Sequence, residues 1–276
     1  MTATAFGLVI GAAVLHAAWN MVVKASPDRL VAAWCVVVGA AVLNIPVLVI
    51  AGLPDPSVRT VIVISAAVHL VYNLTLVAAY ERADLAVVYP IARGTAPLLV
   101  TILGVALLND DVGITAGVGV CLVTAGLAVI ALGGGQGRGV GWALATGVAI
   151  ATYTVLDGAG VRAGGEAMRL LASVFVLHAV ALTVVVALRR GLVPALGSAA
   201  ADLRPVIVGG AGSAGAYLLV LMAARDAPVG LVAGLRETSV LIGIAAGRVI
   251  LGEQVTARHL LAGTASVIGA VAIVMG

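Results

Sequence analysis

The chain has 276 residues, of which 62% are hydrophobic and 10% are charged. Because a soluble domain has about a quarter charged residues, this composition excludes an ordinary soluble protein and indicates an integral membrane protein. The net charge is +3, but the basic residues are scattered over short loops without interleaved aromatic residues, which argues against binding to nucleic acid. The two cysteines, Cys35 and Cys121, lie in apolar segments and predict neither a disulfide framework nor a metal site.

Ten hydrophobic segments follow one another along the chain, separated by short loops. They cover residues 4–23, 30–51, 58–80, 85–108, 112–132, 139–158, 166–188, 205–224, 228–250 and 257–275. A transmembrane helix needs ~20 apolar residues, and the continuous runs argue against the alternating pattern of an outer-membrane barrel. The first segment lacks a basic leader and a clear cleavage site, so we expect it to be retained as a helix. The sequence therefore predicts an all-α integral membrane protein with ten transmembrane helices.

The first and third predicted helices each carry a polar stripe along one face. The stripes consist of His16, Trp19, Asn20 and Lys24 in the first helix and of His69, Tyr72 and Asn73 in the third. Residues three and four positions apart share a helix face, so we expect these side chains to line a cavity. The alternative for the first helix is that Trp19 and Lys24 anchor it at the membrane interface, with only His16 and Asn20 buried.

The fourth predicted helix holds a charged residue, Arg93, in the middle of an apolar run. An arginine in hydrocarbon costs about 3 kcal/mol or more, so it normally faces a protein interior or a wet cavity. Pro90 and Pro97 flank it and each remove a backbone donor, from which we expect a broken helix. Tyr89 lies one turn before Arg93 on the same face. This pattern predicts the wall of a binding site.

Three titratable residues inside predicted helices are candidates for proton coupling. Histidine titrates near neutral pH, which makes His16 and His69 candidates, although a buried histidine can also be a hydrogen-bonded structural group. Asp157 lies one turn after Tyr153 in the sixth helix. Its carboxyl group is the third candidate, unless this residue lies at the membrane edge.

The two halves of the chain resemble each other at a constant offset. The matching pairs are Arg82 with Arg225, Arg93 with Arg236, Thr95 with Thr238, Leu108 with Leu251, and Asp110 with Glu253. A Gly-rich segment, 133–138, separates a first repeat, 1–132, from a second, 139–276. Each repeat holds five predicted helices, and an odd number inverts the second copy relative to the first. Inverted repeats are common in secondary transporters, which hold substrate near the midplane where the repeats meet.

Arg93 and Arg236 are the leading candidates for substrate contact. Guanidinium groups bind carboxylates in a bidentate manner, so the pair would receive an anionic group in the cavity. The alternative is that each arginine bonds backbone carbonyls freed by a broken helix. Glu237 follows Arg236 directly, and adjacent residues on a helix do not face each other. We therefore expect Glu237 to reach another helix, and one hypothesis is that it pairs with Arg93, which would leave roughly one positive charge at the cavity.

The chain resembles the EamA-like branch of the drug/metabolite transporter superfamily in four features. They are the ten helices, the five-plus-five repeat, an acidic residue after the fourth and ninth helices, and the run Pro-Ile-Ala-Arg-Gly-Thr-Ala-Pro at 90–97. The resemblance implies a basket of helices around a central cavity, alternating access and, often, export of amino acids, small metabolites or drugs. It also implies cytoplasmic termini. The positive-inside rule favours termini outside, with about four Lys and Arg residues in one set of loops and about eight in the other. We follow the resemblance.

We therefore expect a secondary active transporter that exports a small polar or amphipathic metabolite or drug across the cytoplasmic membrane, as a monomer or homodimer. Its expected partners are the substrate, membrane lipid and, as candidate coupling ion, the proton, with no metal or cofactor. The alternative is an intramembrane enzyme or flippase acting on a lipid-linked substrate. Against an enzyme, the sequence has no His-Glu-x-x-His pair and no acidic cluster for a metal. The buried charges and the repeat argue against a passive channel.

Overall fold

A computed structural model describes residues 2–24, 26–83, 85–131, 139–164, 166–251 and 256–276. These residues form helices and contain no strand, as the composition predicts. The predicted Gly-rich linker and Glu253 lie outside the described residues. Eight helices in the described ranges are long and apolar enough to cross a membrane.

The helices follow the predicted segments closely in most of the chain. They are α1 (Ala3–Lys24), α2 (Arg29–Ala51), α3 (Pro56–Tyr80), α4 (Leu85–Leu108), α5 (Ile114–Ala131), α6 (Val140–Arg162), α7 (Ala167–Arg190), α8 (Leu192–Ala201), α9 (Gly210–Asp226), α10 (Val229–Arg236), α11 (Thr238–Leu251) and α12 (Ala257–Met275). A π-helical turn, Pro205–Gly209, leads into α9. The short α8 lies where the sequence predicted only a loop.

The outer surface of the helix assembly is apolar. Val49, Ile50, Ile114 and Leu188 are each at least 77% exposed. In water such a surface would drive aggregation, whereas lipid tails are as apolar as these side chains. The surface and the helix lengths together indicate a multi-pass membrane protein.

The helices pack in pairs around a common centre. α1 packs on α9 and α3 on α6, while α2 packs on α7 and α5 on α12. Small residues permit the closest of these approaches. A Cβ atom on Gly119 of α5 would lie 2.6 Å from the carbonyl oxygen of Gly269 of α12, so only glycine fits there.

The fourth helix is continuous, so the predicted break at its prolines is wrong. α4 runs through both Pro90 and Pro97. Each proline removes a single N–H from the hydrogen-bond ladder, and in a membrane protein neighbouring helices can tolerate that loss. The charge of Arg93 therefore lies on an intact helix.

The predicted ninth helix is divided, and the division lies beside its arginine. α10 ends at Arg236, and the N–H of Glu237 donates to the carbonyl oxygen of Gly234, three residues back, at 3.2 Å. This tighter turn interrupts the regular i to i−4 ladder. The hydroxyl of Thr238 donates to the carbonyl oxygen of Leu235 at 2.8 Å, which satisfies one acceptor at the end of α10.

Candidate functional site

A cavity of about 150 Å³ lies between the helices at the centre of the assembly. Side chains of α1, α2, α3, α4, α6, α7, α9 and α10 line it. Eight of the residues predicted from the sequence are among them: His16, Trp19, Asn20, His69, Tyr72, Asn73, Arg93 and Arg236. The side chain of Tyr89 lies outside the part of the chain that the structure describes.

Arg93 and Glu237 form a buried, bidentate ion pair, as the sequence predicted. Nε of Arg93 donates to Oε2 of Glu237 at 2.9 Å, and Nη2 lies 2.9 Å from Oε1. The side chain of Glu237 is 0% exposed. Because both carboxylate oxygens face one guanidinium, the two charges compensate each other in a region where an isolated charge would be costly.

Arg236 lies at the end of α10 and is 4% exposed. Its Nε and Nη2 atoms are buried and have no hydrogen-bond partner among the described residues. No hydrogen bond from Arg236 to a backbone carbonyl is present among the described residues, which argues against the alternative in which this arginine bonds freed carbonyls. The adjacent carboxylate of Glu237 faces Arg93, so the cavity wall carries a guanidinium with two unused donors.

The polar stripe of α1 faces the cavity. The ring of Trp19 meets His16 edge-on, with 5.1 Å between ring centroids, and its Nε1 atom is buried without a partner in the described structure. Trp19 therefore lines the cavity, as the stripe predicted. Asn20 donates to the carbonyl oxygen of His16 at 2.8 Å, and the side chain of Lys24 lies outside the described residues.

The α3 stripe joins a polar and aromatic wall that the sequence only partly revealed. His69 stacks on Tyr153 with 3.9 Å between centroids, and the amide nitrogen of Asn73 lies 2.9 Å from Nε2 of His178. Tyr217 and Phe175 also line the cavity but were not among the candidates, and His178, the third histidine inside a predicted helix, lines it as well. The available signal was weak: His178 and Tyr217 are single polar groups in apolar segments, without neighbours that form a stripe.

Asp157 lies behind this wall and is 0% exposed, so its carboxyl group is buried between the helices. The hydroxyl of Tyr217 donates to its Oδ2 at 2.5 Å, while Oδ1 has no partner among the described residues. His16 and His69 line the cavity itself. Within the described ranges, no group of three potential metal ligands comes together.

Comparisons with known proteins agree with this architecture. The model of the family described as "EamA-like transporter family" matches residues 137–275, which include α6 to α12. A solved chain, described only as a crystal structure of a protein, superposes with a TM-score of 0.79 at 18% identity. The match covers 100% of this chain and 98% of that chain, and at this identity it establishes the fold alone. No curated protein matches the chain.

Proposed function

Because the chain belongs to the EamA-like transporter family, we propose that it is a secondary active transporter that works by alternating access through the central cavity. The substrate is a small polar or amphipathic molecule with an anionic group, exported across the cytoplasmic membrane. The family is described as one of transporters. Ser65 Oγ lies 3.3 Å from Nδ1 of the cavity residue His69, but this nitrogen also lies 2.9 Å from the Ser65 carbonyl oxygen and so carries a hydrogen, which makes it a donor and not the base for that hydroxyl.

The packing of the helices supports an arrangement of two inverted five-helix repeats, 1–132 and 139–276. The contact of α1 with α9 has a counterpart in the contact of α6 with α3, and that of α2 with α9 has one in α7 with α3. A twofold axis in the membrane plane would exchange these contacts and leave the α2–α7 and α5–α12 pairs in place. The family match at 137–275 also begins close to the proposed start of the second repeat.

The observation that carries the proposal is the buried guanidinium of Arg236 in the cavity wall, whose Nε and Nη2 atoms have no hydrogen-bond partner among the described residues. Two donors without partners favour a ligand that brings two acceptor oxygens, which is the chemistry of a carboxylate. A cavity of about 150 Å³ is the size that accommodates benzene in an engineered protein core. The side chains of Trp19, Tyr72 and Tyr153 provide apolar faces for the rest of such a molecule.

A flux experiment tests this function. A thermal-shift screen of amino acids, organic anions and cationic drugs on purified protein first selects the compounds that bind. We expect the strongest anionic compound to show saturable flux in proteoliposomes, and Arg236→Gln to abolish that flux. Arg225→Gln is the matched control, because Arg225 is exposed at the end of α9.

Three outcomes contradict the proposal. Saturable flux in the Arg236→Gln variant at the wild-type rate would remove the guanidinium from substrate recognition. Stabilisation by cationic drugs alone would contradict an anionic substrate. Chemical turnover of a lipid-linked compound in detergent, without a sealed compartment, would favour an intramembrane enzyme.

A further inference from the structure

The buried acids of the described residues differ in how their charge is balanced. Glu237 has both oxygens on Arg93. Asp157, equally buried, forms no ion pair with any described residue, and its Oδ1 atom has no hydrogen-bond partner of normal geometry among them, although the Ser65 hydroxyl group also interacts with this carboxyl group. A carboxylate charge without a partner is costly in a low-dielectric interior, whereas the protonated acid is tolerated. The Asp157 carboxyl group is therefore placed as a proton acceptor and not as half of a structural pair.

Two side chains connect Asp157 to the cavity. Tyr217 of α9 lines the cavity with its ring and donates its hydroxyl hydrogen to Oδ2 of Asp157. His69 of α3 also lines the cavity and interacts electrostatically with the Asp157 carboxyl group. The rings of His69 and Tyr217 meet edge-on, with 5.7 Å between centroids. A change in the protonation of Asp157 can therefore affect the cavity wall through a single side chain.

The tautomer of His69 follows from its hydrogen bond. Nδ1 lies 2.9 Å from the carbonyl oxygen of Ser65, which can accept a hydrogen bond but cannot donate one. Nδ1 therefore carries the hydrogen, and the basic atom of the neutral ring is Nε2. Nε2 makes no hydrogen bond with the described residues, so it can take up a proton from a cavity that contains water.

The other ionisable groups packed near α6 either contact another side chain or face a different part of the cavity. Arg93 of α4 and Glu237, which follows α10, neutralise each other, and Arg236 at the end of α10 faces the cavity. On α7, Nε2 of His178 is bonded to Asn73. On α6 itself, Tyr153 lies under the ring of His69.

Resting on the transport function proposed above, we propose that Asp157 binds the coupling proton of the transport cycle. The proton enters from the cavity at the layer formed by His69 and Tyr217 and binds Oδ1 of Asp157. It leaves by the same layer when the cavity opens to the other side of the membrane. When Asp157 is ionised, the hydrogen bond from Tyr217 is charge-assisted and holds this ring in the wall. Protonation weakens that bond, which links proton binding to the shape of the cavity.

Infrared difference spectroscopy of the purified wild-type protein tests this proposal without any substrate. The C=O stretching band of a protonated, buried carboxyl group should appear as the pH is lowered. Asp157→Asn should abolish this band, and Tyr217→Phe should shift its frequency, because the hydrogen bond to the carboxyl group is lost. Glu166→Gln is the control, since Glu166 is an exposed acid at the start of α7 and its replacement should leave the band unchanged.

A band that persists at full intensity in the Asp157→Asn variant, or the absence of any such band in the wild type, would overturn the proposal. If Asp157→Asn does not fold, Tyr217→Phe still decides, because an unshifted band would show that Asp157 is not its origin. The transport function is tested separately by flux in proteoliposomes. A wild-type protein with saturable flux but no titrating band would reject only the proton site.

Discussion

Arg162 of α6 and Asp110 of the α4–α5 loop form a partly buried ion pair, with 2.6 Å between Nη1 and Oδ1. The same guanidinium donates to the carbonyl oxygens of Ala224 and Ala227, at 3.0 Å and 2.7 Å, where α9 ends. Oδ2 of Asp110 accepts the N–H of Val229, the first residue of α10, at 2.8 Å. One ion pair thus satisfies backbone groups at two helix ends and joins α6 to α9, α10 and the α4–α5 loop.

Replacing this arginine should destabilise the protein. Arg162→Ala leaves the Asp110 carboxylate and two carbonyl oxygens without their donors, and we expect a loss of about 2 kcal/mol in the free energy of unfolding. Thermal unfolding in detergent measures it. Arg204→Ala is the control, because the pair of Arg204 with Asp202 is largely exposed and should contribute little. Equal effects of the two variants would contradict the assigned role of Arg162.

The pair of Arg93 with Glu237 should be sensitive to the loss of either partner. Glu237→Gln leaves the Arg93 charge buried without its carboxylate, which costs about 3–5 kcal/mol. Reversing both charges, with Arg93→Glu and Glu237→Arg in one chain, should recover part of the folded yield that either single reversal loses. Folded yield after size-exclusion chromatography reports this. Single and double variants that fail to the same extent would argue that the contact contributes little.

Arg236 should behave differently, because its Nε and Nη2 atoms have no hydrogen-bond partner among the described residues, and its charge is offset only through space by the Glu237 carboxylate that Arg93 already binds. Arg236→Met removes a buried charge with unused donors, so the free energy of unfolding should stay unchanged or rise by about 1 kcal/mol. Flux of the anionic substrate should be lost in the same variant. Thermal unfolding and proteoliposome flux, measured on one preparation, separate the two effects. A marked loss of stability would point to a structural role for this arginine.

The pH dependence of flux should distinguish the two cavity histidines. His69 contacts the Tyr217 ring beside Asp157, so His69→Gln should displace the pH profile of flux or flatten it. His16 lies on α1 against Trp19, and His16→Gln should alter the profile only if that ring also relays protons. Initial rates over a series of pH values measure both. A profile that His69→Gln leaves unchanged would remove His69 from the proton path.

Acid should weaken the contact between Asp28, which caps the start of α2, and Arg190 at the end of α7. Burial opposes ionisation of Asp28, but hydrogen bonds from the Val31 N–H and from Arg190 outweigh it and hold the pKa of Asp28 below its usual value. A lowered pKa in the folded state contributes stability above the unfolded pKa and loses it as the pH falls through the folded one. Asp28→Asn should therefore lower thermal stability near neutral pH, and this difference from the wild type should shrink and vanish as the pH falls through the lowered pKa that Asp28 has in the folded state. A constant difference at all pH values would contradict this linkage.

The sequence by itself determined the class of protein, most of the helices and many of the side chains that face the centre. In a bilayer, a long apolar run has to satisfy its own backbone hydrogen bonds, so hydropathy alone predicts helices such as α2 and α7. A charge in such a run has to avoid lipid, so Arg93 and Arg236 predicted a polar interior. The family resemblance rested on the same features.

Only the tertiary structure decided which groups meet. Arg93 and Glu237 were paired by hypothesis, but the same rules allowed bonds from each arginine to its own backbone, and residues 144 positions apart meet only through helix packing. The prolines of α4 predicted a break, but the helix is continuous because neighbouring helices can tolerate the lost hydrogen bonds. No proline or glycine pattern in the sequence predicted the turn at Glu237. Tyr217 and His178 are isolated polar residues along the chain, and they join Asp157 and Asn73 because α7 and α9 pack beside α3 and α6.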